Sequence, residues 1–533
     1  MAGSVVESRV EELLPELRQA SAYPDATDSV DLIETHISWV FLTRRHVYKV
    51  KKPVQFDFVD FHTLEQRRAA CHAELELNRR MAEDVYLGVV PIIIEDSGRV
   101  IVDPPQAAEG STVEWAVKMR RLPAAVSLDR LLLEGNLDLA WIPRIIEHLS
   151  AFFHSAKPTS LSPEQYLNRF ESHIRDNHEV LAGTGGPHRV ARITGAQLQF
   201  LTLHPSVLTQ RVASGRVIDG HGDLRAEHIY LDKQPVVIDC IEFNPELRQV
   251  DIAAELGFLQ VECDALQAFG VGKEIASSCL GRLHDHPSAE LREFYKCYRA
   301  CVRAKVAALR AGSGQQGATD SVQRYLELAE GYCQHFTRPL LVIVRGLMGT
   351  GKSTLATALS ERLGAAHFST DAIRREIFGP SERPAAYGEE NYAAANRRRV
   401  YDLMLRHADE ALQDRRSVIL DGTFLKEDHR LAAAALAAQQ GAVNLIIECQ
   451  CPDHIARQRI DQRRSASNSE ARAELHHQQR QEEEQHTFEV RLRRIDTTRP
   501  FEVTVREAID ALRQYVAASC ASDSSDISQE VSD

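Results

Sequence analysis

The segment Gly346-Leu347-Met348-Gly349-Thr350-Gly351-Lys352-Ser353 limits the fold of this chain more than any other. It satisfies GxxxxGK[ST] in full, directly follows the apolar run LLVIV at 340–344, and opens the helical pattern STLATALSERL. A buried strand that turns through glycines into a helix is the context in which this pattern binds phosphate. The glycines let the backbone close around an anion where a Cβ would block the approach. The helix N-terminus adds oriented N–H groups and a partial positive charge. Lys352 would then bridge the β- and γ-phosphates of ATP and the Ser353 hydroxyl would hold Mg²⁺, with Gly346, Met348, Gly349, Thr350, Gly351 and Thr354 completing the cradle.

The elements after this loop repeat one pattern. Apolar strands at 340–344, 366–369, 417–421, 443–449 and 490–495 alternate with helical patterns such as NRRRVYDLMLRHADEALQ. Buried strands separated by helices predict an α/β domain with a doubly wound parallel sheet and ligands at the carboxyl ends of its strands. The first 120 residues differ: SWVFLT, HVYKVKK and VEWAVKMR surround one long helix over 64–81. Residues 124–335 are mostly helical. The chain therefore predicts an α+β part, with a small lobe over about 1–123 and a helical lobe over 124–335, followed by a P-loop domain over 336–515. From Ala518 onward there are four acidic residues and no Lys or Arg, which predicts a disordered tail over 516–533.

Composition narrows the function classes. With 44% apolar and 26% charged residues in 533, the chain is neither disordered nor fibrous. No run reaches the length of a membrane span, and the N-terminus lacks a basic segment followed by an apolar core. We therefore expect a cytoplasmic protein with no membrane association. Lys and Arg number 63 against 76 Asp and Glu, a net charge of −13. That argues against unspecific binding to duplex DNA or anionic lipid, and weighs against a polyanionic substrate. The ten cysteines are scattered without a CxxC, as expected of reduced thiols.

The second strand of the P-loop domain runs into Ser369-Thr370-Asp371-Ala372-Ile373-Arg374. This resembles the P-loop kinases of small molecules or hydroxyl ends: polynucleotide kinase, zeta-toxin and chloramphenicol phosphotransferase relatives. The resemblance implies that Asp371 accepts a proton from the attacking hydroxyl and that Arg374 holds the substrate. The alternative is that Asp371 caps the helix beginning at Ala372. Asp421 closes SVILD before Gly422 and could reach Mg²⁺ through water or touch substrate; alternatively it forms a turn. Arg457, Arg459, Arg463 and Arg464 resemble the lid of small kinases, where arginines close over phosphates. Arg459 and Arg463 are i,i+4 and share a face, which a solvated helix would also show.

A second signature is Ile218-Asp219-Gly220-His221-Gly222-Asp223-Leu224, with Val236-Val237-Ile238-Asp239 beyond it. Together they resemble the aminoglycoside phosphotransferase family, which has the protein-kinase-like fold. The resemblance implies that Asp223 is the catalytic-loop base and that Asp239 ligates Mg²⁺ on the nucleotide. Asp251 would open a helix and support the catalytic loop. Lys49 would pair the α/β-phosphates, with Lys51 the alternative on the same face. Glu74 would be its ion-pair partner, with Glu76 second, and 115–123 would frame adenine. Two departures stand out. The family's second metal ligand, an Asn, is His228 here, and imidazole is a poor Mg²⁺ ligand. No GxGxxG precedes Lys49. His476, His477 and His486, in a Gln/Glu-rich helix, read as surface residues.

Taken whole, the chain resembles bifunctional proteins that fuse an aminoglycoside-phosphotransferase-like domain to a P-loop kinase. The resemblance implies ATP- and Mg²⁺-dependent phosphotransfer to a small-molecule hydroxyl at two kinase-type sites. Two alternatives stay open. Only the P-loop domain catalyses, with a nucleic-acid 5′-hydroxyl as another acceptor and the N-terminal domain a binding or scaffold pseudokinase; or the chain is an ATP-gated, non-catalytic binding module. The sequence carries no signal of oligomeric state.

Overall fold

A computed structural model describes residues 9–530 apart from 57–58, 107–110, 313, 315–316, 380–393, 463–477 and 485–490. It divides into two compact units, one of residues 1–163 and 210–288, the other of 164–209 and 289–533.

The first unit opens with an antiparallel sheet in the order Asp31–Glu34, Ser38–Leu42, His46–Lys51, Thr112–Arg120, Tyr86–Ile94 and Val100–Val102. Alternation along HVYKVK sends Tyr48 and Val50 into a core with Trp39, Phe41 and Ile92. Val47, Lys49 and Lys51 point to the other face, against the helix Leu64–Ala82. That helix starts in a capping box, with the Thr63 hydroxyl accepting from the Gln66 N–H at 3.2 Å and Gln66 Oε1 accepting from the Thr63 N–H at 2.8 Å. Its Cys71 and Leu75 pack on Val117 and Met119, so Glu74, on the same turn, lies beneath the two lysines. The strand Tyr86–Ile94, which the sequence reading did not single out, pairs with Thr112–Arg120. Beyond the sheet come the helices Trp141–Ser155, Ile252–Ala265 and Phe269–Arg282. Two short ribbons, Val217–Asp219 with Gln249–Asp251 and Ile229–Leu231 with Pro235–Val237, flank the segment 220–228 in sequence.

The second unit contains five parallel strands in the order Ala366–Ser369, Val418–Gly422, Leu340–Arg345, Val443–Gln450 and Leu492–Asp496. All five agree with the expected strands within two residues. The central strand is buried along its whole length because both faces are covered. Val342 and Val344 meet Leu355 and Leu359 of the helix Lys352–Leu363, whereas Leu341 and Ile343 meet Val400 and Met404 of the helix Ala394–Gln413.

The helices Pro187–Leu203, Ala289–Gly312 and Ala318–Cys333 belong to this second unit, so the boundary expected near residue 335 falls inside it. A Cβ on Gly195 would lie 2.6 Å from the Gly364 carbonyl oxygen, so Pro187–Leu203 rests directly on the end of the P-loop helix. Gln199 fixes the contact by donating to the Arg338 carbonyl at 2.8 Å and accepting from the Ser417 hydroxyl at 2.5 Å. The last helix, Phe501–Glu530, buries Ala508 and Leu512 in the sheet core and continues through most of the segment expected to be a disordered tail. Among the described residues no helix is long and apolar enough to cross a membrane, and the nine cysteines are free thiols.

Candidate functional site

The P-loop takes its shape from contacts that only this sequence permits. Gly349 has φ +83°, and a Cβ there would sit 2.5 Å from the Ala456 carbonyl oxygen. Thr350 turns its hydroxyl inward, donating to the Leu347 carbonyl at 2.8 Å. The Thr497 hydroxyl donates to the Thr350 carbonyl at 2.7 Å and accepts from Arg459 Nη1 at 3.1 Å. Arg459 Nη2 also donates to the Thr497 carbonyl at 2.6 Å, which fixes its guanidinium beside Gly351. There a recess of about 430 Å³ is lined by Gly351, Thr354, Arg459, Thr497, Phe501 and Thr504. Arg457 is exposed, and Arg463 and Arg464 lie outside the described residues, as do His476, His477 and His486.

On the other side of the lysine lies a cavity of about 280 Å³, lined by Met348, Lys352, Ser353, Asp371, Arg374 and Asp421 among others. Asp421 is only 3% exposed, and its Oδ1 accepts no hydrogen bond among the described residues. A buried carboxylate oxygen without a partner is costly unless a cation or water completes it. It ends a strand rather than forming a turn, and with Ser353 it suits Mg²⁺ carried by nucleotide phosphates. Ser369, not Asp371, caps the helix Thr370–Phe378, accepting from the Ala372 N–H at 3.1 Å. Asp371 is left to the cavity, 75% exposed, with its Oδ1 accepting from Arg374 Nη1 at 2.8 Å.

Sequence reasoning missed the segment that closes this cavity. Gln479 Oε1 accepts from the Met348 N–H at 3.0 Å, a direct contact on the phosphate loop. The next glutamates bind in series: Glu482 to Arg397 at 2.7 Å, Glu483 to the buried Arg345, and Glu484 to Lys426 at 2.8 Å. The Gln/Glu-rich composition reads as solvated surface, and its partners stand far away in sequence.

In the first unit Lys49 Nζ lies 2.9 Å from Glu74 Oε1 and 2.7 Å from Asp239 Oδ1. The Lys49 ammonium holds the Asp239 carboxyl well below the usual carboxylate range. Lys51 is fully buried, 2.5 Å from Glu74 Oε2 and also paired with Glu242. The structure thus brings both candidate lysines to Glu74, and only Lys49 pairs with Asp239. Glu76 is exposed. Asp223 Oδ2 accepts from Arg225 Nε at 3.0 Å.

One expectation for this loop needs correction. His228 Nδ1 lies 2.9 Å from the Asp223 carbonyl, which can only accept, so that nitrogen carries the proton. Nε2 then accepts from Arg225 Nη2 at 2.9 Å. Both ring nitrogens are committed, and His228 offers a metal no lone pair. Asp251 opens the helix Ile252–Ala265 and is held there by Arg211. From the same helix Glu255, fully buried, holds the loop directly, accepting from the N–H groups of His221 at 2.8 Å and Gly222 at 2.6 Å. Among the described residues no three His, Cys, Asp or Glu side chains converge as a metal site.

His221 carries a pH dependence. Burial, with His228 nearby, pushes its imidazole down to about 4 from an ordinary 6.5. Above 6.5 the ring is neutral in folded and unfolded chains alike. As pH falls through the window to about 4, the unfolded chain takes a proton that the folded ring refuses, so stability is lost, up to about 3 kcal/mol. Amide exchange across 219–224, corrected for intrinsic rates, is expected to lose protection from pH 7 to 4.5, and His221→Asn to flatten that slope.

Comparison with known proteins extends beyond either site. The chain is 32% identical over 455 residues to the uncharacterized protein Rv2004c of Mycobacterium tuberculosis, covering 84% of this chain and 88% of that protein. The chain belongs to the Rv2004c family. The uncharacterized protein Mb2027c of Mycobacterium bovis matches this family member over the same shares. Within this chain an AAA domain matches residues 341–497, a stretch that includes Lys352, Asp371, Asp421, Arg459 and Thr497. Among solved structures, a gluconokinase from Sinorhizobium meliloti 1021 is 21% identical, covering 33% of this Rv2004c-family chain and 93% of its own, with a TM-score of 0.25. A choline/ethanolamine kinase family protein from Mesorhizobium loti is 13% identical, covering 57% and 87%, with a TM-score of 0.35.

Proposed function

We propose that the P-loop unit transfers the γ-phosphoryl group of ATP to a hydroxyl of a small molecule. The observation that carries this reading is one cavity shared by Lys352, Ser353, the buried Asp421 with its unpartnered Oδ1, and the exposed Asp371 tied to Arg374. Lys352 and the loop N–H groups bind the β- and γ-phosphates, and the recess beside Arg459 and Phe501 takes the nucleoside. Ser353 and Asp421 would hold Mg²⁺, which would neutralise charge on the phosphates. Asp371 accepts the acceptor's hydroxyl proton as its oxygen bonds to the γ-phosphorus. The bond from that phosphorus to the bridging oxygen breaks, and ADP leaves. Arg374 orients the Asp371 carboxylate.

Lys352→Ala tests the reading: nucleotide affinity by calorimetry and acceptor-dependent ADP release should both fall by at least tenfold, since a phosphate-paired cation in a partly buried site is lost. If no acceptor among sugars, sugar acids, sugar phosphates, nucleosides and 5′-hydroxyl oligonucleotides raises ADP release, the non-catalytic binding module is the better account.

The Lys49–Glu74–Asp239 cluster favours a second reading, a kinase-like nucleotide site in the N-terminal unit, in line with the aminoglycoside phosphotransferase resemblance. There Asp223 would be the base and Asp239 the metal ligand, without help from His228. Activity that survives Asp223→Asn in full would leave phosphotransfer to the P-loop unit alone.

A further inference from the structure

We infer that the acceptor used at the P-loop cavity is a hydroxyl compound bearing its own anionic group, a phosphate or a carboxylate, and is neither a neutral polyol nor a polycation such as an aminoglycoside. This rests on the phosphotransfer reading of the same cavity. Beyond Lys352, four cationic side chains line it: Arg374, Arg397, Arg398 and Lys426. They come from three segments, the helices Thr370–Phe378 and Ala394–Gln413 and the loop after the strand Val418–Gly422. The transferred phosphates would already have the loop N–H groups, Lys352 and a metal held by Ser353 and Asp421, which leaves these cations for the acceptor.

Carboxylates pair with three of these four cations, which keep further N–H donors, and leave Arg398 without one. Lining Lys and Arg number five, against Asp371, Asp421 and Glu482. Asp371 pairs with Arg374, Glu482 with Arg397 and Glu484 with Lys426, while Arg398 makes no ion pair among the described residues. His429 adds an uncharged polar point. It stacks on Tyr401 with ring centroids 3.9 Å apart, burial pushes its imidazole below the usual range, and its Nδ1 has no hydrogen-bond partner among the described residues. Cations that offer several N–H donors around a small cavity recognise planar or tetrahedral oxyanions and repel a polycation. The net charge of −13 describes the surface as a whole and says nothing of this cavity.

The test uses the full chain, ATP, Mg²⁺ and matched acceptors: glycerol, glycerate and glycerol 3-phosphate; ribose, ribonate and ribose 5-phosphate; and kanamycin. Acceptor-dependent ADP release and acceptor affinity with a non-hydrolysable ATP analogue are the readouts. The expected result is that an anionic member exceeds its neutral counterpart at least tenfold in kcat/KM, with the phosphate and carboxylate arms identifying the group. Arg398→Gln with Lys426→Gln should raise KM for that acceptor about tenfold, nucleotide affinity serving as the control for folding. Equal use of neutral and anionic members, use of none, or preference for kanamycin overturns the inference. It would leave the phosphotransfer reading standing wherever ADP release still depends on Lys352. Loss of Lys352-dependent nucleotide binding in the parent chain would instead remove that reading, and the inference with it.

Discussion

Asp371→Asn is expected to lower acceptor-dependent turnover by about 10²- to 10⁴-fold, the span ascribed to a positioned general base, while ATP still binds. The substitution suits the question because it changes little else. Ser369 caps the helix, so the first turn keeps its satisfied N–H group. The side chain is 75% exposed, and an amide oxygen can still accept from Arg374 Nη1. Stability should therefore move by no more than about 0.5 kcal/mol. What the amide cannot do is take a proton at neutral pH. Calorimetry with ATP and ADP release with a working acceptor check the two halves separately. Loss of nucleotide affinity would mean that the residue serves binding. Undiminished turnover would place the proton acceptor elsewhere, and Asp421, buried beside Ser353, is the next carboxylate in the cavity.

Much of the second unit was legible because its signals are local. A strand, a glycine turn, a lysine and a helix follow one another within a few residues, and the five strands stand out as apolar runs. Asp371 and Asp421 were singled out because each stands at, or just beyond, the carboxyl end of a strand. What escaped depends on partners distant in sequence. Glu255 lies in the apolar stretch AAELGFL, where a carboxylate reads as a surface interruption, yet it holds the backbone of His221 and Gly222 from 34 and 33 residues away. Gln479 reaches Met348 across 131 residues, and Glu242 reaches Lys51 across 191. The expected boundary near 335 was set just before the strand at 340–344, but the contact of Gly195 with Gly364 ties an earlier helix to the P-loop unit. Lys49 and Lys51 illustrate the middle case: alternation put them on one face, and only tertiary structure shows which one pairs with Asp239.

Arg211→Met should cost the first unit about 3–5 kcal/mol, the range for removing one partner of a buried ion pair. Arg211 is 8% exposed and lies between two carboxylates, Asp251 at 0% and Asp285 at 3%. Its Nε and Nη2 meet the two Asp251 oxygens at 2.7 Å each, and Nη2 also meets Asp285 Oδ2 at 2.6 Å. Burial alone would lower the guanidinium's proton affinity; the hydrogen bonds it donates to Asp285 and Asp251 more than reverse this. Without the cation, two buried carboxylates are left facing each other. The damage should travel along the chain to the candidate loop. Asp251 pairs with Val217 in the ribbon and accepts from the Ala253 N–H at 2.8 Å, so it fixes the start of the helix that carries Glu255. A loosened helix start should release Glu255 from His221 and Gly222. Amide exchange in Arg211→Met should therefore rise at Gly222 and Ala253 with nucleotide affinity at Lys352 unchanged. Adding Asp251→Asn and Asp285→Asn should restore part of the protection, because neutral amides no longer need the guanidinium. Protection that does not fall in the single variant would show that water or a rearranged Arg216, 3.9 Å from Asp285, satisfies the pair.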